Sequence, residues 1–281
     1  MPRILDTALV IPVIARLAVQ AACELPAACL GALQDALHHE ESPYGKETLA
    51  ALIENAVYAR HEQIPCCQDT GACLVFMEIG QEICWTGMPL AYAVNEGVRR
   101  GYTGGFLRKS MVNDPLERVN TGDNTPAILH TEIVPGDKAA ITVFPKGGGS
   151  ENMGAFAVLL PSAGEEGIKR FVLKKVEEAG GNPCPPVTLG IGLGGSTDYC
   201  CLLAKRALLR PHGSRNANAR YARLEEELLD AVNRLGIGPM GTGGRITALD
   251  VRIEQYACHI TALPIAVSFQ CHAARIACEV L

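Results

Sequence analysis

The feature that most constrains this chain is a change of hydrophobic period along its length. Before Pro126 apolar side chains recur mainly at helical spacing; after it they come in short alternating bursts with helical stretches between them. Residues 3–40 read as helical, punctuated by Pro12 and Pro26 and closed by His38-His39-Glu40-Glu41-Ser42-Pro43. Residues 46–61 form a clearer helix, with Leu49, Leu52, Ile53 and Val57 on one face. After a turn at Ile64-Pro65, residues 72–79 form a compact apolar run that reads as a strand. Residues 83–86 are its expected partner across Gly80-Gln81. Residues 89–100 look helical and stop at Gly101, Gly104 and Gly105.

Beyond Pro126, residues 127–134 and 139–144 flank Pro135-Gly136-Asp137-Lys138, which reads as a hairpin. Residues 165–179 carry an amphipathic stripe of Ile168, Phe171, Val172 and Val176. Ser162-x-x-Glu165 suggests a capping box before it, and Gly180-Gly181 stops it. A strand is expected over 187–191, helices near 197–209 and over 219–235, a glycine-rich break over 236–244, and β-type stretches over 246–256 and 263–270. No internal repeat, low-complexity tract or linker interrupts the pattern. The expectation is one mixed α/β (α+β) domain over 1–281, with β-sheets flanked by helices and without the regular βαβ units of a Rossmann fold.

Composition excludes several function classes. At 48% hydrophobic and 20% charged residues the chain is globular rather than disordered. Its formal charge of −5 does not attract phosphate backbones, and 5% aromatic content supplies few stacking platforms, so no nucleic-acid partner is expected. No apolar run reads as a membrane span and the N-terminal stretch lacks the layout of a secretory signal, so a cytoplasmic address without membrane association is expected. Twelve cysteines stand at 23, 29, 66, 67, 73, 84, 184, 200, 201, 258, 271 and 278, with no Cys-x-x-Cys among them. In a long cytosolic chain most such thiols are small buried hydrophobes. Any metal site must gather ligands from distant segments.

Four groups of residues bear on chemistry. Gly190-x-Gly192-x-x-Gly195, between a strand and a helix, matches a dinucleotide fingerprint. No Asp or Glu occurs between Asp198 and Glu225 to hold a ribose, and close strand–helix packing is the alternative. Lys146-Gly147-Gly148-Gly149-Ser150 follows a strand and is either an anion-binding nest for a phosphate or carboxylate or a flexible loop. Cys66-Cys67-Gln68-Asp69-Thr70-Gly71 puts a soft ligand, an amide and a carboxylate together between a helix and a strand. Cys184 lies in Asn-Pro-Cys-Pro-Pro, and Cys271 ends a β-type stretch. Three thiolates on three loops can hold an iron–sulfur cluster and leave one iron open, while buried inert thiols remain the alternative. Arg210 and Arg215 follow a helix and are placed to pair with its last carbonyls.

Taken in order, these segments resemble the α subunit, or N-terminal domain, of the iron–sulfur (class I) fumarate hydratases and the related L-tartrate dehydratases. The resemblance rests on Pro65-Cys66-Cys67-Gln68-Asp69-Thr70-Gly71, Val119-Asn120-Thr121-Gly122-Asp123-Asn124-Thr125-Pro126, the loop 146–152, residues 182–186, Arg210-Pro211-His212-Gly213-Ser214-Arg215, and His259 to Cys271. It implies a [4Fe–4S] cluster with one open iron, held by Cys67, Cys184 and Cys271. Cys67 directly precedes Gln-Asp-Thr-Gly, Cys184 precedes Pro-Pro, and Cys271 lies twelve residues after His259. It further implies that Gln68, Arg108 and Gly148 bind substrate and that Asp69 and His259 act in catalysis. Arg108 resembles the arginine that pairs with a substrate carboxylate, and His259 the histidine near the hydroxyl.

The implied activity is reversible addition of water to a dicarboxylate. The C–H base and further arginines of the family lie in a second, β part. This chain runs ten residues past Cys271, so a separate β subunit is expected, in an α2β2-like assembly with α–α contact. The loop Gly-Gly-Gly-Ser-Glu-Asn favours fumarate as substrate; an L-tartrate or related 2-hydroxy-dicarboxylate dehydratase is the alternative. Outside this class stand a dinucleotide-dependent oxidoreductase and a non-catalytic assembly protein.

Overall fold

The computed structural model describes residues 2–281. In chain order the elements are β1 (Arg3–Asp6), α1 (Val10–Cys23), α2 (Ala27–His39), α3 (Pro43–Glu62), β2 (Ala72–Gly80), β3 (Ile83–Thr86), α4 (Leu90–Gly104), β4 (Ile128–Val134) and β5 (Ala139–Lys146). They continue with α5 (Gly148–Glu151), β6 (Ala155–Leu159), α6 (Gly164–Ala179), β7 (Val187–Leu193), α7 (Thr197–Leu209), α8 (Ala219–Asn233), β8 (Ala248–Gln255), β9 (Leu263–Gln270) and β10 (Ala277–Val280). This is a mixed α/β fold of sheets flanked by helices, as the changing period implies, and among the described residues there is no run of parallel βαβ units. The chain gathers into two compact units built from discontinuous stretches. The first comprises 1–26, 56–148 and 275–281; the second comprises 27–55 and 149–274.

The first unit is built on a four-stranded sheet of order β10-β5-β2-β4. Cys73, Val75, Met77 and Ile79 of β2 and Ile141 and Val143 of β5 pack against α1 and α4 through Val10, Ile14, Leu17, Val94 and Val98. Leu74 and Phe76, on the opposite face of β2, are buried as well. A strand buried on both faces needs partners on both edges, and this overturns the expected hairpin. β2 runs between β4 and β5, parallel to the first and antiparallel to the second. Residues 83–86 likewise do not pair with β2; they pair in parallel with β1, which replaces the start of the expected helix over 3–40.

The stretch 7–39 contains a window apolar enough to cross a membrane by length and composition, contrary to the sequence expectation. Glu24-Leu25-Pro26 divides it into α1 and α2, of 14 and 13 residues, each short of the roughly 20 a span requires. More than half of the window is buried inside the fold, as suits a core helix.

The second unit carries the sheet β6-β9-β7-β8. α6 and α8 cover one face with Ile168, Val172, Val176, Leu224, Leu228 and Val232, against Leu189, Ile191, Val251, Ile253 and Phe269. The other face of β7 receives α7. A Cβ on Gly190 would stand 2.1 Å from the Ala204 carbonyl oxygen, and one on Gly192 2.1 Å from that of Cys200. The glycines of the apparent dinucleotide fingerprint are therefore what allows α7 to lie against the strand. α6 begins after Ala163, with no side-chain cap bond from the Ser162 that the sequence suggested.

Glu40, buried between α2 and α3, accepts the main-chain N–H groups of Glu41, Ser42, Arg245 and Ile246, which ties the helical pair to the loop before β8. A second knot surrounds the Arg-Pro-His-Gly-Ser-Arg segment. Arg210 donates to the fully buried Glu225 at 2.8 Å and Arg215 to the fully buried Asp250 at 2.8 Å. The last carbonyls of α7 are reached by Arg252, which bonds Leu208 at 2.9 Å and also Arg210, not by the two arginines the sequence suggested. Asp250 accepts from Arg252 Nε at 2.8 Å and so compensates that buried charge.

Candidate active site

The first unit presents the turn between α3 and β2. Its start is tied down by the Cys66 N–H, which donates to the Ala22 carbonyl at the end of α1 (3.0 Å). Cys67 is half-buried, Gln68 exposed, Asp69 half-buried and Thr70 buried. Gly71 closes the turn at φ +76°, and a Cβ there would meet the Lys146 main chain at 2.6 Å. Only glycine serves at such a position.

Asp69 is the most constrained group in this turn. Its Oδ1 accepts the Gly71 N–H at 3.0 Å and the Ser110 hydroxyl at 3.2 Å, and its Oδ2 accepts the Gly148 N–H at 2.8 Å. Burial pushes its carboxyl upward, but these N–H groups, the Arg275 guanidinium and the Ser110 hydroxyl outweigh burial and hold it below the ordinary carboxylate value. Gly148, expected to touch substrate through its backbone, thus directs its N–H at Asp69. The Gly148 amide of the glycine loop thus meets a carboxylate of the chain itself.

Around the turn stands a frame of side chains. The Tyr102 hydroxyl, fully buried, lies 2.9 and 3.1 Å from the carbonyls of Thr70 and Gly71. Asn124, also fully buried and at φ +64°, accepts the Ser110 N–H at 2.6 Å and donates to the Gly71 carbonyl at 3.1 Å. This explains the Asn-Thr-Gly-Asp-Asn-Thr-Pro segment, for which sequence reasoning supplied no role. Thr70 Oγ1 donates to the Arg108 carbonyl at 3.0 Å, which fixes the backbone of Arg108 and leaves its guanidinium exposed. Asp69, Gly148 and the main chain of Arg108 are thus brought together, with Gln68 and Cys67 adjoining in the same turn.

The second unit places Cys184 and Cys271 at one end of its sheet. Cys184, at φ +56°, precedes the cis Pro185-Pro186 bond and the start of β7. Cys271 follows the last residue of β9, and Gln270 pairs with Thr188 of β7. The two cysteine loops are stitched by His272, whose N–H lies 3.3 Å and Nδ1 3.1 Å from the Cys184 carbonyl. Gln270 Nε2 stands 3.8 Å from the Cys271 sulfur.

His259 is not with them. It sits in the exposed turn that enters β9 from the opposite end, its Nδ1 2.8 Å from Thr261 Oγ1. The eight residues of β9 put about 26 Å between that turn and Cys271.

The donor chemistry suits an iron–sulfur cluster. Cys67, Cys184 and Cys271 are thiols outside any disulfide, on irregular loops, and Cys184 and Cys271 share one sheet end. Cys73 and Cys200, by contrast, are sealed within the fold, and burial pushes their thiols up to about 12. Among the described residues no three His, Cys, Asp or Glu side chains gather as a single-ion site. A cluster of several irons spaces its thiolates more widely than one ion does.

These motifs and this fold define a member of the fumarate hydratase family. The family model described as Fumarate hydratase (Fumerase) matches residues 11–279, and the chain belongs to that family. A Methanocaldococcus jannaschii protein named as a candidate L(+)-tartrate dehydratase subunit alpha is 45% identical over 269 residues, which is 94% of each chain. The L(+)-tartrate dehydratase subunit alpha of Escherichia coli strain K12 is 36% identical over 240 residues, covering 84% of this chain and 78% of that one.

Proposed function

We propose that this chain is the α subunit of an iron–sulfur hydro-lyase that removes water from, or adds it to, a four-carbon dicarboxylate, with L(+)-tartrate the first substrate to test. The observation that carries the reading is the Asp69 carboxylate held by Gly71, Ser110 and Gly148, with the exposed Gln68 and Arg108 around it and a half-buried thiol two residues away. The relatives named for tartrate dehydratase support tartrate over the fumarate that the Gly-Gly-Gly-Ser-Glu-Asn loop favoured. Fumarate hydration is the second reading.

Cys67, Cys184 and Cys271 are the residues that would hold a [4Fe–4S] cluster, which supplies a Lewis-acidic iron that makes hydroxide a better leaving group. The chain's own groups do the rest. Arg108 pairs with a substrate carboxylate through its planar fork of donors. Gln68 offers an amide to the same substrate from the residue before Asp69. Asp69 Oδ2, which receives one N–H where Oδ1 receives two hydrogen bonds, has a lone pair left to accept the substrate hydroxyl's hydrogen bond and orient the departing oxygen. The fixed Gly71 and Gly148 amides keep that carboxylate from turning away.

His259 cannot serve the Cys271 end of its own chain, because the length of β9 lies between them. It serves that end in a second copy, which is the use the expected α–α contact would have. The base that takes the carbon-bound proton is assigned to a β subunit.

The test is anaerobic reconstitution of the chain with iron and sulfide, together with its β partner, followed by assays on L-tartrate, malate and fumarate. Turnover of L-tartrate above malate and fumarate supports the first reading. The reverse order supports fumarate, and no turnover of any of them refutes the hydro-lyase.

A further inference from the structure

We propose that Arg275 is a positioning residue of this site: its buried guanidinium holds the Asp69 main chain and the Gly147-Gly148 turn in one fixed arrangement, so that carboxylate and amide are presented as a unit. The proposal rests on the functional reading above only for what that unit does; the arrangement is a property of the first unit alone.

Arg275 is 1% exposed, the largest side chain buried to that degree. A guanidinium is almost never fully buried without partners that its charge and geometry serve. Its Nη1 donates to the Asp69 carbonyl. Its Nη2 lies against Gly147: a Cβ on that glycine would stand 2.7 Å from Nη2 and 3.4 Å from Asp69 Oδ2. One planar group therefore touches both the residue that bears the carboxylate and the residue before the amide that binds it.

The position itself is anchored. Two residues later the chain enters β10, which pairs with β5 from Ala277↔Val143 to Val280↔Ala140. The backbone of Arg275 is thus set by the sheet edge, and its side chain reaches inward. The first unit's apolar core is made by α1, α4, β2 and β5 without it. What Arg275 adds is local: a rigid fork between two loops that otherwise meet through the Gly148–Asp69 bond and the end of the β2–β5 pairing at Ala72↔Lys146. Lysine has the charge but a single point of donation in place of the fork, and it cannot reach both loops from one place.

The test is hydrogen–deuterium exchange on the full chain with Arg275→Lys and Arg275→Ala. The expected result is exchange at least tenfold faster over 69–71 and 147–149 in both variants, with the strands at 73–79 and 139–145 unchanged. If Arg275→Ala does not fold, Arg275→Lys decides. Native rates in the loops of Arg275→Lys overturn the proposal. Faster exchange throughout β2 and β5 also overturns it, because that describes general structural support. A second arm reads the reconstituted α–β pair: kcat falls at least tenfold in Arg275→Lys while KM moves less than threefold. A raised KM with native kcat would make Arg275 a substrate-binding group and refute positioning. If the native pair turns over neither tartrate, malate nor fumarate, the functional reading has failed, and the exchange result still decides the role of Arg275.

Discussion

Gly190→Ala and Gly192→Ala test what the glycines on β7 are for. The added Cβ would lie 2.1 Å from the Ala204 carbonyl oxygen in one case and 2.1 Å from that of Cys200 in the other. Carbon and carbonyl oxygen come no closer than about 3.3 Å even in the tightest recurring contacts, so α7 has to retreat by about 1 Å. The obstacle is backbone, which cannot swing aside as a side chain would. Overpacking of this kind costs about 1–3 kcal/mol, and a helix moved bodily off its sheet belongs at the upper end. Against this stands about 0.4–1 kcal/mol gained from the smaller unfolded-state freedom of alanine. The expected net loss is about 2 kcal/mol for either variant. In a chain of this size each kcal/mol lowers the melting temperature by about 2–4 °C, so thermal melting followed by circular dichroism should show a drop of about 4–8 °C. A variant that melts within 1 °C of the native chain would refute the packing account. Binding of a nicotinamide dinucleotide by the native chain, lost in the variants, would revive the fingerprint reading.

Cys67→Ser, Cys184→Ser and Cys271→Ser should each lose bound iron and sulfide after anaerobic reconstitution, while Cys200→Ser and Cys201→Ser retain them; full cluster content in one of the first three removes that residue from the ligand set. Chains carrying His259→Ala and chains carrying Cys67→Ser should each be inactive with the β partner, and an equal mixture refolded together should regain about a quarter of native activity, as a two-fold assembly with one intact site in each mixed pair predicts. No regain would place His259 outside catalysis. His212, half-buried beside Arg252, Arg215 and Asp250, has its pKa lowered below 6.5 chiefly by desolvation. The unfolded chain therefore binds the proton more readily than the folded one, and this contribution to stability is complete above about pH 6.5 and lost as pH falls below it. Urea midpoints measured from pH 7.5 to 5 should fall, and fall less in His212→Gln; identical slopes would show that the imidazole is not the group responsible.

The fold was readable where one segment's pattern settled its own structure. The stripe on α6, the span of α7 and the run of β9 needed nothing from outside those residues. Partner choice was not readable. Residues 127–134 and 139–144 look like a hairpin because a good turn joins them. Nothing in either strand reveals that β2, apolar on both faces, lies between them. The stripe on α3 misled for a related reason: Leu49 is buried as its spacing suggests, but Val57 is 53% exposed. Spacing says that a helix has an apolar face, not that this chain covers it.

The site divides along the same line. Cys67, Gln68 and Asp69 are legible because one turn carries three kinds of chemistry in consecutive residues. Arg275 is not, because a buried arginine four residues after a cysteine looks like any charge near a chain end until the sheet shows which way it points. His259 is the opposite case. Its twelve-residue spacing from Cys271 suggests nearness, but most of those residues form one extended strand, and extension turns sequence proximity into distance. Had the same interval been helical it would span about 18 Å, and as a turn it would span almost nothing. The secondary structure of the connecting segment therefore decides whether the spacing of a motif describes one chain's site or points to the contribution of a second copy. Here a strand connects them, and the twelve-residue spacing therefore does not set the histidine beside the cysteine of its own chain.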